Sequence, residues 1–358
     1  MPELPEVETV ARDLRPRIVG ATIRGARSSW ARTLRTHTPE AFADAVAGRR
    51  VEAVGRRAKL VVVELSGDAA LTIHLKMTGQ LFVVPAEAPA DPYVRLVLEL
   101  VDGREIRFRD IRKFGKVGLY GREPVTGELT TEVGGPAVFA AFGPEPLDPA
   151  FTLRDFRRRL RRRKGRLKPL LLDQSFLAGV GNIYADEALW TARLHPLRTV
   201  GTLRPPDERR LYAAVRSILT EAIDRRGSSI DDYTAPDGDG SMQERLQVYQ
   251  RTGEPCPRCG RAVKRIVIGA RSTHFCSWCQ RLPAVDRRAT ATILRGMADG
   301  ARRTGRPWTE LDGDGALGLT RLEVEGVTRR ARSDRTKRAA ATRRAVARAA
   351  TAETGVAK

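Results

Sequence analysis

The chain has 358 residues, 41% of them hydrophobic, with 64 Lys and Arg against 43 Asp and Glu, for a formal net charge of +21. Its apolar content can fill a substantial core and excludes wholesale disorder. The lack of any run of about 18 apolar residues excludes a spanning helix, and the length predicts two or three domains.

The first residues, Met1-Pro2-Glu3-Leu4-Pro5-Glu6, lack the basic-then-apolar order of a secretory signal, so the expected location is cytoplasmic, nucleoid-associated if bacterial. Val7, Val10, Ala11 and Leu14 make an apolar stripe at three- and four-residue spacing, predicting a helix over about 2–14 with Pro2 and Pro5 in its first turn. From Ala21 to about Tyr120 the texture changes to short β-type runs such as Val61–Leu65, Leu71–Leu75, Val94–Leu100 and Ile106–Phe108, separated by Gly/Asp turns. A β-sandwich or barrel of around eight strands follows. A Gly/Pro-rich linker at 134–150 precedes helical patterns at Leu153–Arg163, Leu167–Leu172, Ile183–Ala192 and Asp207–Arg225. The last stretch, 328–358, holds 10 basic and 2 acidic residues and no aromatic, the composition of a disordered tail.

The only four cysteines, Cys256, Cys259, Cys276 and Cys279, read C-x2-C-x16-C-x2-C. A two-residue gap lets both thiolates of a pair reach one tetrahedral ion, and 16 intervening residues suit a β-hairpin, with strands at Arg261–Ile268 and Ser272–Phe275. One structural Zn2+ is expected. Four protein thiolates leave no position for a catalytic water, so the metal shapes a loop and does no chemistry. Two disulfides are the alternative, which no sign of an oxidising compartment supports.

Five stretches then occur in order: Pro2-Glu3-Leu4-Pro5-Glu6-Val7-Glu8, His74-Leu75-Lys76-Met77-Thr78-Gly79, Arg112-Lys113-Phe114-Gly115, Gly179-Val180-Gly181-Asn182-Ile183-Tyr184-Ala185, and the cysteine module with Arg271 between its pairs. Together they resemble the formamidopyrimidine-DNA glycosylase family, which includes the endonuclease VIII-like enzymes, over roughly residues 2–281. The resemblance implies an α+β multidomain protein. Its parts would be a catalytic β-sandwich with an N-terminal helix (2–133), the linker, a helix-two-turn-helix domain (151–245), a zinc finger (246–281) and the basic tail (282–358). It implies a bifunctional DNA glycosylase/AP lyase of base excision repair, acting as a monomer on double-stranded DNA with oxidised bases or abasic sites and with no membrane partner.

The chemistry also follows from the residues. An initiator Met before proline is commonly trimmed, which exposes Pro2 as a secondary amine; α-amino groups titrate at about 7.7–8.0, well below lysine's value of about 10.4. Such an amine can attack the sugar C1′, expel a damaged base and leave an iminium, after which β- and δ-elimination cut the strand. Glu3 is the adjacent proton shuttle. Helix capping is the plainer reading of both residues, and the other four motifs outweigh it.

The resemblance implies further roles. Lys59 contacts phosphate and assists catalysis, and Arg271, grouped with the catalytic set, is pushed by the zinc hairpin into the minor groove. His74 joins the DNA-binding set. Met77, Arg112 and Phe114 form a wedge filling the hole left by a flipped nucleotide, which offsets part of the cost of extrusion. Ile111 and Lys113 depart from the family's usual proline and second arginine. Lys168 and Asn182 bind phosphate with the Gly179–Gly181 turn, following a run of ten basic residues within 154–168. Glu6 and the acidic loop 227–240 are the candidate base-recognition elements. Oxidised purines (8-oxoguanine, formamidopyrimidines) are the expected substrates. The alternatives are an endonuclease VIII-like enzyme for oxidised pyrimidines, a non-catalytic zinc-ribbon binder of damaged DNA, and an RNA- or ribosome-associated zinc-ribbon factor.

Overall fold

A computed structural model describes residues 1–131, 135–229, 238, 240–287 and 290. Two compact units interleave along the chain instead of following contiguous domains. The first comprises Met1–Arg163, Leu170–Ala188 and Glu208–Leu246; the second comprises Lys164–Pro169, Leu189–Asp207 and the chain from Gln247.

In the first unit, helix α1 (Leu4–Ile18) buries the stripe Leu4, Val7, Val10, Ala11, Leu14 and Ile18. It outlasts the expected end at residue 14 because Ile18 continues that stripe past Pro16. Pro2 lies outside the helix, before its N-cap Glu3, so only Pro5 occupies the first turn. Next come β1 (Ile23–Ser28) and a helix that the β-type texture concealed, α2 (Pro39–Val46). Thr38 caps α2 by accepting from the Ala41 N–H, Pro39 opens it, and Phe42 and Val46 turn into the core.

Eight strands follow: β2 (Val51–Arg57), β3 (Leu60–Leu65), β4 (Ala69–His74), β5 (Gly79–Pro85), β6 (Val94–Leu100), β7 (Arg104–Asp110), β8 (Lys116–Arg122) and β9 (Leu129–Thr130). They form two antiparallel sheets, ordered β1-β6-β7-β5 and β2-β3-β4-β8-β9. Val61, Val63, Leu71, Ile73, Leu81, Leu98, Phe108 and Val117 share one core with α1 and α2. The opposite face of the five-stranded sheet is also covered, since Val62, Ala70, Tyr120 and Leu129 pack with Val138 and Phe139. Burial on both faces explains why these strands read as continuous apolar runs instead of alternating.

Register sets the functional end of this sandwich. Leu60 pairs with His74, His74 with Lys116, and Gly79 with Asp110, so the β2–β3 turn, the end of β4 and the turn after β7 fall along one edge. The expected linker is ordered where it meets this edge. Gly143 N–H donates to Gln174, Ala178 N–H donates to Pro144, and Glu145 binds Arg56 and Arg57.

Helix α3 (Leu153–Arg161) also belongs to the first unit and is capped by Thr152 and Asp155. Helices α4 (Leu167–Leu172), α5 (Asn182–Thr191) and α6 (Pro205–Asp224) lie within a residue or two of their expected bounds.

The second unit carries the hairpin β10 (Lys264–Ile268) and β11 (Arg271–Phe275). Gly269 and Ala270 join these strands with φ of 54° and 60°, the two positive values of a type I′ turn. Leu282 is buried, and the buried Asp286 accepts from Arg166, Thr199 and Thr202. The first residues assigned to a disordered tail therefore pack into this unit; residues 288–289 and 291–358 lie outside the described set. Among the described residues, no helix is long and apolar enough to cross a membrane.

Candidate active site and cysteine module

Pro2 is buried at the mouth of α1, and Glu3 beside it is 1% exposed. Beyond the capping box that Glu3 and Glu6 form at the start of α1, the Glu3 carboxylate reaches another helix. Oε1 accepts the N–H of Ile183 at 2.8 Å, in the first turn of α5, and Oε2 has no hydrogen-bond partner. Burial pushes the Glu3 pKa above the ordinary carboxylate value; the Lys59 charge pulls it down, the neighbouring Glu6 raises it, and the Ile183 N–H lowers it. A carboxyl that holds its proton above the usual range is suited to donating one.

Gly179 and Gly181 exist for this packing. A Cβ on Gly181 would fall 2.3 Å from the Glu3 Cδ, and one on Gly179, whose φ is +87°, would fall 2.7 Å from the Leu4 side chain. The Gly179 N–H donates to Gln174 and the Ile183 N–H to Glu3. The turn read as a phosphate cradle thus seats the start of α1 and commits these two donors internally. Asn182 opens α5 and is half-buried.

Glu6 is buried as well. Its Oε2 accepts the Glu3 N–H at 2.8 Å, and Oε1 accepts the Ser228 N–H at 2.8 Å and the Tyr184 hydroxyl. Gly227, with φ of +76°, has no room for a Cβ against the Glu6 side chain. So the root of the candidate base-recognition loop is fastened to Glu6, while residues 230–237 and 239 lie outside the described set.

Lys59 sits in the β2–β3 turn after Ala58, whose φ is +54°. Glu145 holds that turn by accepting from the Ala58 N–H at 2.7 Å and pairing with Arg56 and Arg57, each at 2.8 Å. His74, across the ladder, accepts the Lys76 N–H at Nδ1. Burial together with Lys76, Lys59 and Arg35 pushes its pKa down to about 3. At neutral pH the ring is therefore uncharged with its proton on Nε2, a neutral donor.

Met77 and Phe114 are 36% and 49% exposed, on the turns after β4 and β7. The Arg112 guanidinium stacks 5.2 Å from the Phe114 ring. Buried Asp110 organises both turns: it accepts from the Thr78 hydroxyl and from the N–H groups of Arg112 (3.2 Å) and Gly115 (2.7 Å). Its carbonyl accepts Arg95 Nε at 2.9 Å. Large side chains left in water on rigid turns are surface built for contact. Ile111 adds a further exposed apolar group.

In the second unit the four Sγ atoms lie within 4.8 Å of one another. Cys259 and Cys276 are 3.5 Å apart and Cys256 and Cys279 4.0 Å. Disulfide bonding requires about 2.05 Å, whereas four Zn–S bonds of about 2.3 Å in a tetrahedron place sulfurs about 3.8 Å apart. The cluster fits zinc and not disulfides. Trp190 Nε1–H and the Cys279 N–H point at ligand sulfurs, and buried Gln280 ties the Cys276 N–H to the Leu194 carbonyl. Arg271 is exposed at the first position of β11 beside the turn. Lys168, expected on the phosphate-binding surface, is 0% exposed in α4, so its side chain is not offered to solvent.

Asp110, Thr78, Glu145, Tyr184 and Gln280 were not singled out from the sequence. Asp110 had a local signal, an Asp opening the turn before Arg112. The roles of Glu145 and Tyr184 depend on partners 87 and 178 residues away and leave none.

Comparison with known proteins agrees with this geometry. Residues 1–117 match the model of the formamidopyrimidine-DNA glycosylase N-terminal domain, 142–234 that of its H2TH domain, and 253–282 a zinc finger found in FPG and IleRS. A formamidopyrimidine-DNA glycosylase of Herpetosiphon aurantiacus is 47% identical over 282 residues, covering 78% of this chain and 100% of that protein. One from Chloroflexus aggregans is 49% identical, covering 79% and 99%. Among solved structures, Lactococcus lactis Fpg in complex with DNA containing an abasic site superposes with a TM-score of 0.71 at 36% identity, over 78% of this chain and 99% of that one. MutM (Fpg) of Thermus thermophilus gives 0.68 at 42% identity, over 78% and 98%.

Proposed function

The chain belongs to the formamidopyrimidine-DNA glycosylase family, and from that premise we propose that it is a bifunctional DNA glycosylase/AP lyase removing oxidised purines, 8-oxoguanine and formamidopyrimidines, from duplex DNA. The observation that carries this reading is the buried Glu3 carboxyl, with one oxygen lacking a partner and its pKa raised, next to the residue whose amine is exposed when Met1 is removed. We place the activity in the cytoplasm, where a bacterial nucleoid supplies the substrate.

The Pro2 nitrogen lone pair attacks C1′ of the damaged nucleotide, the C1′–N bond breaks, and the base leaves carrying a proton. Glu3 donates its proton to the ring oxygen as the sugar opens, leaving an iminium between Pro2 and C1′. Loss of the acidified C2′ proton breaks the C3′–O bond, and a second elimination breaks the C5′–O bond. Water then hydrolyses the iminium and frees the amine. Lys59 supplies positive charge beside Glu3, and neutral His74 offers Nε2–H to a phosphate without adding charge. Met77, Arg112 and Phe114 fill the gap in the stack. Cys256, Cys259, Cys276 and Cys279 would hold a zinc ion, which would stiffen the hairpin that presents Arg271 to the backbone; Asn182 is kept as a phosphate contact.

Borohydride trapping on duplexes containing 8-oxoguanine, thymine glycol or an abasic site tests the assignment. The expected result is a covalent adduct on the Pro2 peptide, formed fastest with 8-oxoguanine among the base lesions. An adduct on a lysine peptide, or none with any duplex, would overturn it; preference for thymine glycol would move the chain to the endonuclease VIII-like branch.

A further inference from the structure

We propose that Tyr184 is a positioning residue for the Pro2–Glu3 segment, acting through the Glu6 carboxylate. This deepens the reading of Pro2 as nucleophile and Glu3 as proton carrier, and rests on it. Three donors converge on Glu6: the N–H of Glu3 on Oε2, and the N–H of Ser228 with the Tyr184 hydroxyl on Oε1. Two of the three are backbone groups, so Tyr184 supplies the only side-chain donor among them. Its ring is fully enclosed, and its hydroxyl also lies 3.3 Å from the Ser228 Oγ.

The geometry ties Glu3 to α5 at two points. Its side chain is held directly by the Ile183 N–H, and its backbone N–H is held by Glu6, whose other oxygen is held by the next residue, Tyr184. Ile183 and Tyr184 thus fix the direction of the Glu3 carboxyl and of the peptide that carries Pro2. Loss of the Tyr184 hydroxyl leaves Oε1 with the Ser228 N–H alone, so the carboxylate that accepts the Glu3 N–H is less tightly oriented, without any change at a group that touches substrate. Crowding of Gly227 against Glu6 leaves no alternative side chain there to take over. Small misplacements of reacting groups are costly in rate and nearly silent in affinity.

The test is Tyr184→Phe, which keeps the ring and removes one oxygen. Single-turnover adduct formation on an abasic duplex should fall about tenfold or more, as expected for loss of a hydrogen bond to a charged group. The dissociation constant for a duplex carrying a tetrahydrofuran abasic analogue should stay within about twofold. Glu6→Gln should slow adduct formation as well, and the double variant should be no slower than Glu6→Gln alone, since the two act through one path. An unchanged trapping rate, additive losses, or equal losses of rate and affinity would overturn the proposal. Failure of the wild-type protein to form any Pro2 adduct would instead remove the mechanism beneath it, a result separable from all of these.

Discussion

The cysteine module and the buried carboxylate centre are organised by opposite means. Four thiolates within one short segment define the module, and its hairpin closes through a two-residue turn, so its ligands and its turn are near in sequence, with only supporting contacts from Trp190 and Leu194 reaching further. The carboxylate centre draws on Glu3, Glu6, Ile183, Tyr184 and Ser228, joined by hydrogen bonds spanning up to 222 residues. The module derives its order from a metal bond. The centre holds two acidic side chains out of water, with one carboxyl oxygen unsatisfied, in a chain of net charge +21. One is built for rigidity, and the other accepts a cost in stability for a proton held at the right place.

The largest effect should come from breaking the metal bond. Structural zinc in small modules contributes about 10–16 kcal/mol of apparent binding free energy. Chelation, or Cys276→Ser, should therefore abolish stoichiometric zinc and the order of the hairpin. Zinc analysis and hydrogen exchange over 253–282 would follow it. Persistence of the hairpin protection without metal would show that packing around Val248 and Val263 suffices.

Glu3→Gln should come next, slowing base excision by about 10²–10⁴-fold in single-turnover assays, the usual range for a positioned acid–base group. Its stability effect should have the opposite sign from a cysteine substitution at neutral pH. The folded-state pKa of Glu3 is raised above 4.5, so folding favours its protonated form. Its stabilising contribution is complete below 4.5 and is lost as pH rises through the folded value. The variant should thus match or exceed wild type in Tm at pH 7.5 and lose that advantage as pH falls toward 4.5. A variant less stable at pH 7.5 would show that the carboxylate is well solvated.

The same contrast explains what the sequence could reveal. The cysteine spacing, the α1 stripe and the later helices were legible because period and spacing are local properties. Helix α2 was hidden in a β-type region, although Thr38-Pro39 is a helix start. Lys168 looked like surface charge within a basic run and is buried; the Gly179–Gly181 turn looked like a phosphate cradle and receives Leu4 and Glu3. Which way a side chain or a turn faces is set by whichever distant segment packs against it, and that is not a local property of the sequence. Glu145 is a Glu like any other until the chain closes, and Tyr184, although inside the Gly179–Ala185 stretch, shows its partner only then.

Asp110→Ala sharpens the comparison on the exposed turns that carry Met77 and Phe114, where order again comes from one buried carboxylate. It leaves the Gly115 N–H and the Thr78 hydroxyl without their acceptor, and the Arg112 N–H with Thr78 Oγ1 alone, a loss of about 1–3 kcal/mol. Affinity for the abasic-analogue duplex should fall about five- to hundredfold, with zinc content unchanged. Arg271→Ala should weaken the same binding less, about tenfold or below, also with zinc intact, since one exposed guanidinium at a phosphate is a modest contact. Loss of zinc in that variant would mean that Arg271 holds the module together.

The smallest effect concerns pH. A histidine on a DNA-binding surface is ordinarily expected to strengthen phosphate binding as it gains charge near its usual value of 6.5. His74 should not, because burial and three basic neighbours keep it neutral down to about 3. Folded protein therefore takes up no proton there between 6.5 and 3, while the unfolded chain does, so this group's contribution to stability is present above 6.5 and fades as pH falls. Substitution by Ala should weaken duplex affinity by one constant factor, about two- to fivefold for a neutral hydrogen bond, at every pH from 5.5 to 8. A wild-type advantage that grows toward pH 5.5 would mean that the phosphate, once bound, supplies enough negative charge to protonate the ring; a constant one makes His74 a fixed donor whose tautomer is set by the Lys76 N–H.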